Sequence, residues 1–115
     1  MSEVEILRRR VHISRLYDLY APLLTERQRN IYEMHELDDL SLSEISSQLE
    51  ISRQAVSDQL QRGREKLGEL EQQLKLLARL DSIEEEACRL KDDGVTRPEV
   101  DRIIEVCRKR TVNHV

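Results

Sequence analysis

The stretch from Leu40 to Leu60, LSLSEISSQLEISRQAVSDQL, constrains this chain more than any other part of it. Ser41 followed three residues later by Glu44 is a capping box, so a helix opens at about Leu42. Ile45 and Leu49, four apart, give that helix an inner face. Ser46, Ser47 and Gln48 weaken it by propensity, so it needs tertiary packing to persist. Ser52 then caps a second helix, and Ile51 just before it is a turn residue that tucks into the core. Inside the second helix Ala55, Val56 and Leu60 share one face, while Arg53, Gln54, Ser57, Asp58 and Gln61 fall on the other. Two helices joined by a three-residue turn, the second with an outer face of Arg and Gln, is the layout of a helix-turn-helix. Arg and Gln are the side chains best able to make bidentate contacts with guanine and adenine edges. A small helical hairpin with a solvated polar face fits the same spacing.

The rest of the chain supports an all-α fold. It has 115 residues, 38% hydrophobic and 37% charged, with no Trp or Phe, three Gly and two Pro. The core must therefore be built from Leu, Ile and Val, and the abundance of Leu, Glu, Arg and Gln points to helices. No alternation long enough for a strand is present. No apolar run is long enough to span a membrane and no apolar signal segment is seen, which predicts a cytoplasmic protein.

Helices are predicted over about 3–20, 26–37, 42–49 and from 53 onward. In the first, Ile6, Ile13, Leu16 and Tyr20 lie near one face, and Arg8, Arg9 and Arg10 crowd the middle. Those arginines suit either a phosphate contact or a solvated face. Pro22 ends the pattern. Thr25 with Gln28 is a second capping box, and Ile31, Met34 and Leu37 carry the apolar side of the helix it opens. The helix after Ser52 shows no stop signal before Asp81, because Gly63 and Gly68 weaken it by about 1 kcal/mol each without ending it. Leu60, Leu67 and Leu74 are seven apart, as are Leu70 and Leu77, giving the seam of a coiled coil. Packing within the chain against the first helix uses the same leucines. In the first case Leu67, Leu70, Leu74 and Leu77 form a homodimer interface. The expected division is a helix-turn-helix domain over 1–66 and a long-helix continuation with C-terminal helices over 67–115.

Two more helices follow. Ser82 with Glu85 opens one that ends near Gly94, and Thr96, Pro98 and Glu99 open the last. Val100, Ile103, Ile104 and Cys107 form its apolar face. Arg108, Lys109 and Arg110 complement its C-terminal dipole, or touch RNA or lipid head groups. Cys88 and Cys107 are too far apart for a metal or redox motif and are expected to be free thiols, with a regulatory disulfide as the alternative. His12, His35 and His114 are scattered, His114 in a tail. No catalytic triad or metal cluster assembles from sequence neighbours, so no enzyme, cofactor or metal is expected.

The net charge is −4. Residues 1–66 hold ten Lys or Arg against twelve Asp or Glu, a net of −2. From Arg53 to Lys66 the balance reverses: Arg53, Arg62, Arg64 and Lys66 against Asp58 and Glu65 give +2. That is a small surplus with which to hold a polyanion.

The segment LYDLYAPLLTERQRNIYEMHELDDLSLSEISSQLEISRQAVSDQLQRGREKL resembles the YlxM-like bacterial family, which has a helix-turn-helix like that of sigma-factor region 4. Its diagnostic pieces here are Leu16-Tyr17-Asp18, Leu24-Thr25-Glu26-Arg27-Gln28, Asp38-Asp39-Leu40-Ser41-Leu42 and Ser52-Arg53-Gln54-Ala55-Val56. The likeness covers about residues 13–77. It implies a DNA-reading face at Arg53, Gln54, Ser57 and Gln61. Through the position of family genes beside those of the signal recognition particle GTPase and its receptor, it also implies an accessory or regulatory role in that pathway. Two residues depart from sigma-like patterns. Glu50 stands at a turn position where Gly is usual, at a cost of roughly 1 kcal/mol if the left-handed backbone is kept. Asp58 stands where a basic or neutral residue is commoner.

Two functions compete on this reading. One is a dimeric DNA-binding regulator, with Ser52, Arg53, Gln54, Ser57 and Gln61 in the groove and Arg62, Arg64 and Lys66 on phosphates. The other is an interaction module that binds the signal recognition particle RNA or its GTPase, for which an acidic chain is suited.

Overall fold

The computed structural model describes residues 2–109, and among these the fold is all-α. Arg110 and His114 lie outside the described residues. Helix α1 (Glu3–Tyr20) is followed by a single 3-10 turn at Ala21–Leu23, then α2 (Glu26–Glu36), α3 (Leu42–Leu49), α4 (Arg53–Leu74), α5 (Leu76–Asp92) and α6 (Pro98–Arg108).

Local chemistry sets most of the helix starts. Ser2 caps α1 by accepting from the Glu5 N–H at 3.2 Å. Both capping boxes form: Thr25 Oγ1 accepts from the Gln28 N–H and the Thr25 N–H donates to Gln28 Oε1, both at 3.1 Å, and Ser41 and Glu44 make the same exchange at 3.1 and 3.2 Å. Each satisfies two N–H donors that a helix start otherwise leaves without partners. At the end of α5 the Val95 N–H bonds the Leu90 carbonyl and the Gly94 N–H bonds that of Lys91, with Gly94 at φ 89°. This is a glycine-terminated helix end. Helix α6 starts differently from expectation. Arg97, not Thr96, occupies the cap position and makes no side-chain cap bond, so Pro98 alone marks the start.

One core joins α1 to α4 and the first turn of α5. It is built from Leu16, Tyr17, Tyr20, Leu24, Ile31, Tyr32, Ile45, Val56, Leu60, Leu67, Leu70 and Leu77. Tyr17 and Tyr32 stack with centroids 4.1 Å apart, and Tyr17 donates to Glu33 at 2.7 Å. Leu37 does not join the apolar side of α2. It sits at the C-cap, exposed, and Tyr32 fills the inner face instead. A second, smaller cluster of Ala87, Val100 and Ile104 holds α5 to α6, with Cys88 and Val95 at its edge. Both cysteines are free thiols, Cys107 buried and Cys88 half-buried.

The long helix breaks, contrary to the sequence expectation. Lys75 takes a left-handed backbone (φ 55°, ψ 31°) between α4 and α5. The cause is a polar junction. Tyr20 donates its hydroxyl to Glu71 at 2.6 Å, and the same hydroxyl oxygen accepts from the Leu76 N–H at 3.1 Å. The Glu71 carboxylate also accepts from the N–H groups of Leu77 (3.0 Å) and Ala78 (3.1 Å). Three donors of a new helix start are thereby satisfied, which offsets the cost of the left-handed lysine. Ser82 and Glu85 consequently fall inside α5 rather than opening a helix. Arg15 of α1 secures the same corner by pairing with Asp81 at 2.5 Å.

The break also resolves the leucine seam. Leu67, Leu70 and Leu77 are buried in the chain's own core, so they are not available to a second copy; Leu74 alone of the four stays at the surface. Residues on both sides of position 66 share that core.

Burial pushes the Glu71 pKa up, but the bonds from Tyr20, Leu77 and Ala78 outweigh it and hold the carboxyl below its ordinary value. A depressed folded pKa stabilises the fold above the unfolded value, and that contribution fades as pH falls through the folded one. Glu71→Gln is therefore expected to cost about 1 to 3 kcal/mol at neutral pH. In denaturant titrations the gap from wild type should close as pH drops below the ordinary glutamate range. A gap that persisted unchanged into acid would contradict this account of the junction.

Candidate nucleic-acid interface

The turn between α3 and α4 is fixed by side chains at both ends. Glu50 takes the left-handed conformation (φ 55°, ψ 43°) and its N–H bonds the Ser46 carbonyl. The Ile51 N–H reaches the same carbonyl at 3.2 Å, and Ser46 Oγ donates to the Ile51 carbonyl at 2.5 Å. Ile51 packs against the main core, as its apolar character predicts. Ser52 Oγ then accepts from the Ala55 N–H at 3.0 Å and starts α4. Ser46 was read from sequence only as a weak helix former. Here it is the residue that ties the turn together.

Helix α4 carries two faces from end to end. Val56, Leu60, Gly63, Leu67 and Leu70 are buried against the other helices. Gly63 marks the crossing with α2, where a Cβ would meet Gln28 Cβ at 3.7 Å, an ordinary contact. On the opposite side Ser52, Arg53, Gln54, Asp58, Gln61, Arg62, Glu65 and Lys66 are exposed, and Ser57 is half-buried. Two glutamines on this side are held in place by carboxylates one turn on. Gln54 Nε2 donates to Asp58 at 2.9 Å, and Gln61 Nε2 donates to Glu65 at 3.0 Å. Asp58, an oddity in the sequence, thus orients an amide.

Arg64 departs from its expected role as a free phosphate contact. It is half-buried and bonds Glu36 at 3.1 Å, beside Arg10, which reaches the same carboxylate at 3.2 Å. Burial raises the Glu36 pKa, but the two guanidinium groups outweigh it and leave the carboxyl below its ordinary value. Arg8, Arg9 and Arg10 are all exposed on α1, and of the three Arg10 is held by Glu36. Arg9, Arg10 and Arg64 share a cleft of about 340 Å³ with Ile6, Ile13, Tyr32 and Glu36. Nothing local marks this cluster, because Glu36 stands 28 residues from Arg64.

The charge on the α4 face is correspondingly smaller. Four cations against two carboxylates gave +2. With Arg64 neutralised by Glu36, Arg53, Arg62 and Lys66 against Asp58 and Glu65 leave 3 − 2 = +1. Arg53, Arg62 and Lys66 make no ion pair among the described residues. Among the described residues no group of His, Cys, Asp and Glu has the arrangement to hold a metal ion. No helix there is long and apolar enough to cross a membrane.

A capped helix, a three-residue turn and a second helix with one flank sealed and the other open define a helix-turn-helix protein. Comparison with known proteins makes this specific. Residues 7–106 match the model of the UPF0122 family, described as "Putative helix-turn-helix protein, YlxM / p13 like", and the chain belongs to that family. It is 43% identical over 77 residues to a UPF0122 protein of Shouchella clausii, covering 67% of this chain and 71% of the relative. A Geobacillus kaustophilus relative is 41% identical over 87 residues, covering 76% and 79% of the two chains. A Bacillus cereus relative is 32% identical over 108 residues, covering 90% and 98%. The last comparison extends the kinship into the C-terminal helices, where the sequence motifs are least distinctive.

The left-handed Glu50 gives a direct test of the turn. Glycine adopts that backbone without a Cβ penalty, so Glu50→Gly is expected to gain up to about 1 kcal/mol. Thermal melting followed by circular dichroism should show a midpoint raised by a few degrees. An unchanged or lowered midpoint would mean that Glu50 is not held in this conformation in solution.

Proposed function

We propose that this protein is a DNA-binding regulator that works in the cytoplasm, with α4 as its recognition helix. The observation that carries the reading is the open polar flank of α4, where Arg53, Gln54 and Gln61 stand exposed while the opposite flank is sealed. Arg53 and the two glutamines are the base-reading groups, Ser52 and Ser57 lie at the edge of the groove, and Arg62 and Lys66 meet phosphates. The amide of Gln54, held by Asp58, is pre-oriented, which lowers the entropy lost on contact. The process regulated is the signal recognition particle pathway, a reading supported by the family resemblance. No catalytic role is assigned to any residue.

A second reading draws on the carboxylates of the same flank. Asp58 and Glu65 would repel phosphates at close range, yet suit a basic, RNA-binding protein surface. On that reading α4 docks on the signal recognition particle GTPase.

The two separate in one set of binding measurements on the full chain between about 50 and 200 mM salt. With three free cations on α4, the logarithm of duplex affinity should fall with that of salt by a slope of about −3 per chain at most. Arg53→Ala should lose about 1 to 3 kcal/mol on the preferred sequence and relax the preference there. Lys66→Ala should weaken all sequences alike and flatten the slope by about 1. Duplex binding without salt dependence, or none at all, would overturn the DNA reading. Association with the GTPase under those conditions would favour the second.

A further inference from the structure

We propose that α5 is the docking surface for a second copy of this chain, packed antiparallel about a two-fold axis at Ile83. Leu76, Ile83 and Leu90 are 41%, 49% and 44% exposed although each is a large apolar side chain. They are seven residues apart, so they form one stripe along the helix. Ile103 of α6, 42% exposed, widens it. Between Ile83, Leu90 and Ile103 lies a groove of about 330 Å³, bordered also by Ser82, Glu86 and Ala87. A continuous apolar strip of this kind marks an interaction surface rather than scattered surface leucines.

The order of residues along the strip selects its occupant. Ile83 lies midway between Leu76 and Leu90, so a reversed copy of α5 sets Leu76 on the second copy's Leu90, and Ile83 on its own counterpart. The charges follow the same symmetry. Arg79 precedes Ile83 by four residues and Glu86 follows it by three, and the two lie on one edge of the stripe. At a rise of ~1.5 Å per residue, reversal brings each Arg79 to within about 1.5 Å of the level of the opposing Glu86. A parallel copy would instead carry the second Arg79 and Glu86 to the opposite edge of the contact and bring no Arg79–Glu86 pair together. Among the described residues Glu86 pairs with Arg89, and both side chains are about two-thirds exposed, so the carboxylate is readily redirected. Such self-complementarity is the mark of a two-fold interface, in which one patch serves both partners. It takes the place of the buried leucines at 67, 70 and 77 as the dimer contact, and it does not depend on what α4 binds.

Sedimentation of the full chain over a range of concentrations tests this, with circular dichroism reporting the fold of each variant. Wild type should approach twice the 13.6 kDa of one chain. Ile83→Asp should run as a single chain with its helix content kept. Arg79→Glu should weaken association by about tenfold or more, by facing Glu86 with a like charge. Adding Glu86→Arg to Arg79→Glu should restore it, which a purely structural defect would not allow. A wild type that stays at single-chain mass, an Ile83→Asp variant that still pairs, or a double exchange without rescue would each overturn the proposal.

Discussion

The hydrogen bond from the Tyr20 hydroxyl to the Glu71 carboxylate, 2.6 Å long, decides where everything else in this molecule goes. It joins the end of α1 to the last turns of α4, and its two oxygen-bearing groups then take up the first N–H donors of α5. Without that junction a helix of good formers would continue past Lys75, and the leucines at 67, 70, 74 and 77 would line a seam. With it, α5 turns away and Leu77 closes the core beneath α1. The molecule is nonetheless elongated. Its radius of gyration is 17.3 Å, whereas a compact domain of about 100 residues has ~13 Å.

Much of the fold was legible because its determinants are local. Thr25, Ser41 and Ser52 act on N–H groups three residues away, so these three helix starts can be read from spacing, whereas Ser82 and Thr96 fit the same pattern and do not cap. At Glu50 the sequence posed a condition, a cost if the left-handed backbone usual for Gly there is kept, and the structure keeps it. The larger differences come from partners distant in sequence. Lys75 carries no sign of its conformation, because the partners that impose it lie 51 residues apart, at Tyr20 and Glu71. Arg64 falls on the polar side of α4 by periodicity, yet its partner Glu36 is set by the crossing of α2 and α4. The leucine seam fits an external or an internal partner equally well, and only the break in the helix separates them.

The candidate site shows the same division. Which residues line the outer flank of α4 follows from helical periodicity, and Arg53, Gln54 and Gln61 are where that periodicity puts them. The electrostatics of the flank do not follow. Glu36 removes Arg64 from the count of free cations, while Asp58 and Glu65 accept from glutamine amides and keep their charge. The flank is therefore an amide-rich surface with a net charge near +1, rather than a strongly basic one. Affinity from such a surface has to come from specific contacts or from two copies acting together, and the exposed stripe on α5 offers a means of pairing them.

Amide chemical shifts of the labelled full-length chain, titrated with duplex DNA from the host genome, give the most direct view of the central claim. The account predicts shifts concentrated from Ser52 to Lys66 on the outer flank of α4, with the α5–α6 hairpin left unperturbed. Shifts confined to α5 and α6, or an α4 that stays silent while the duplex binds, would contradict it.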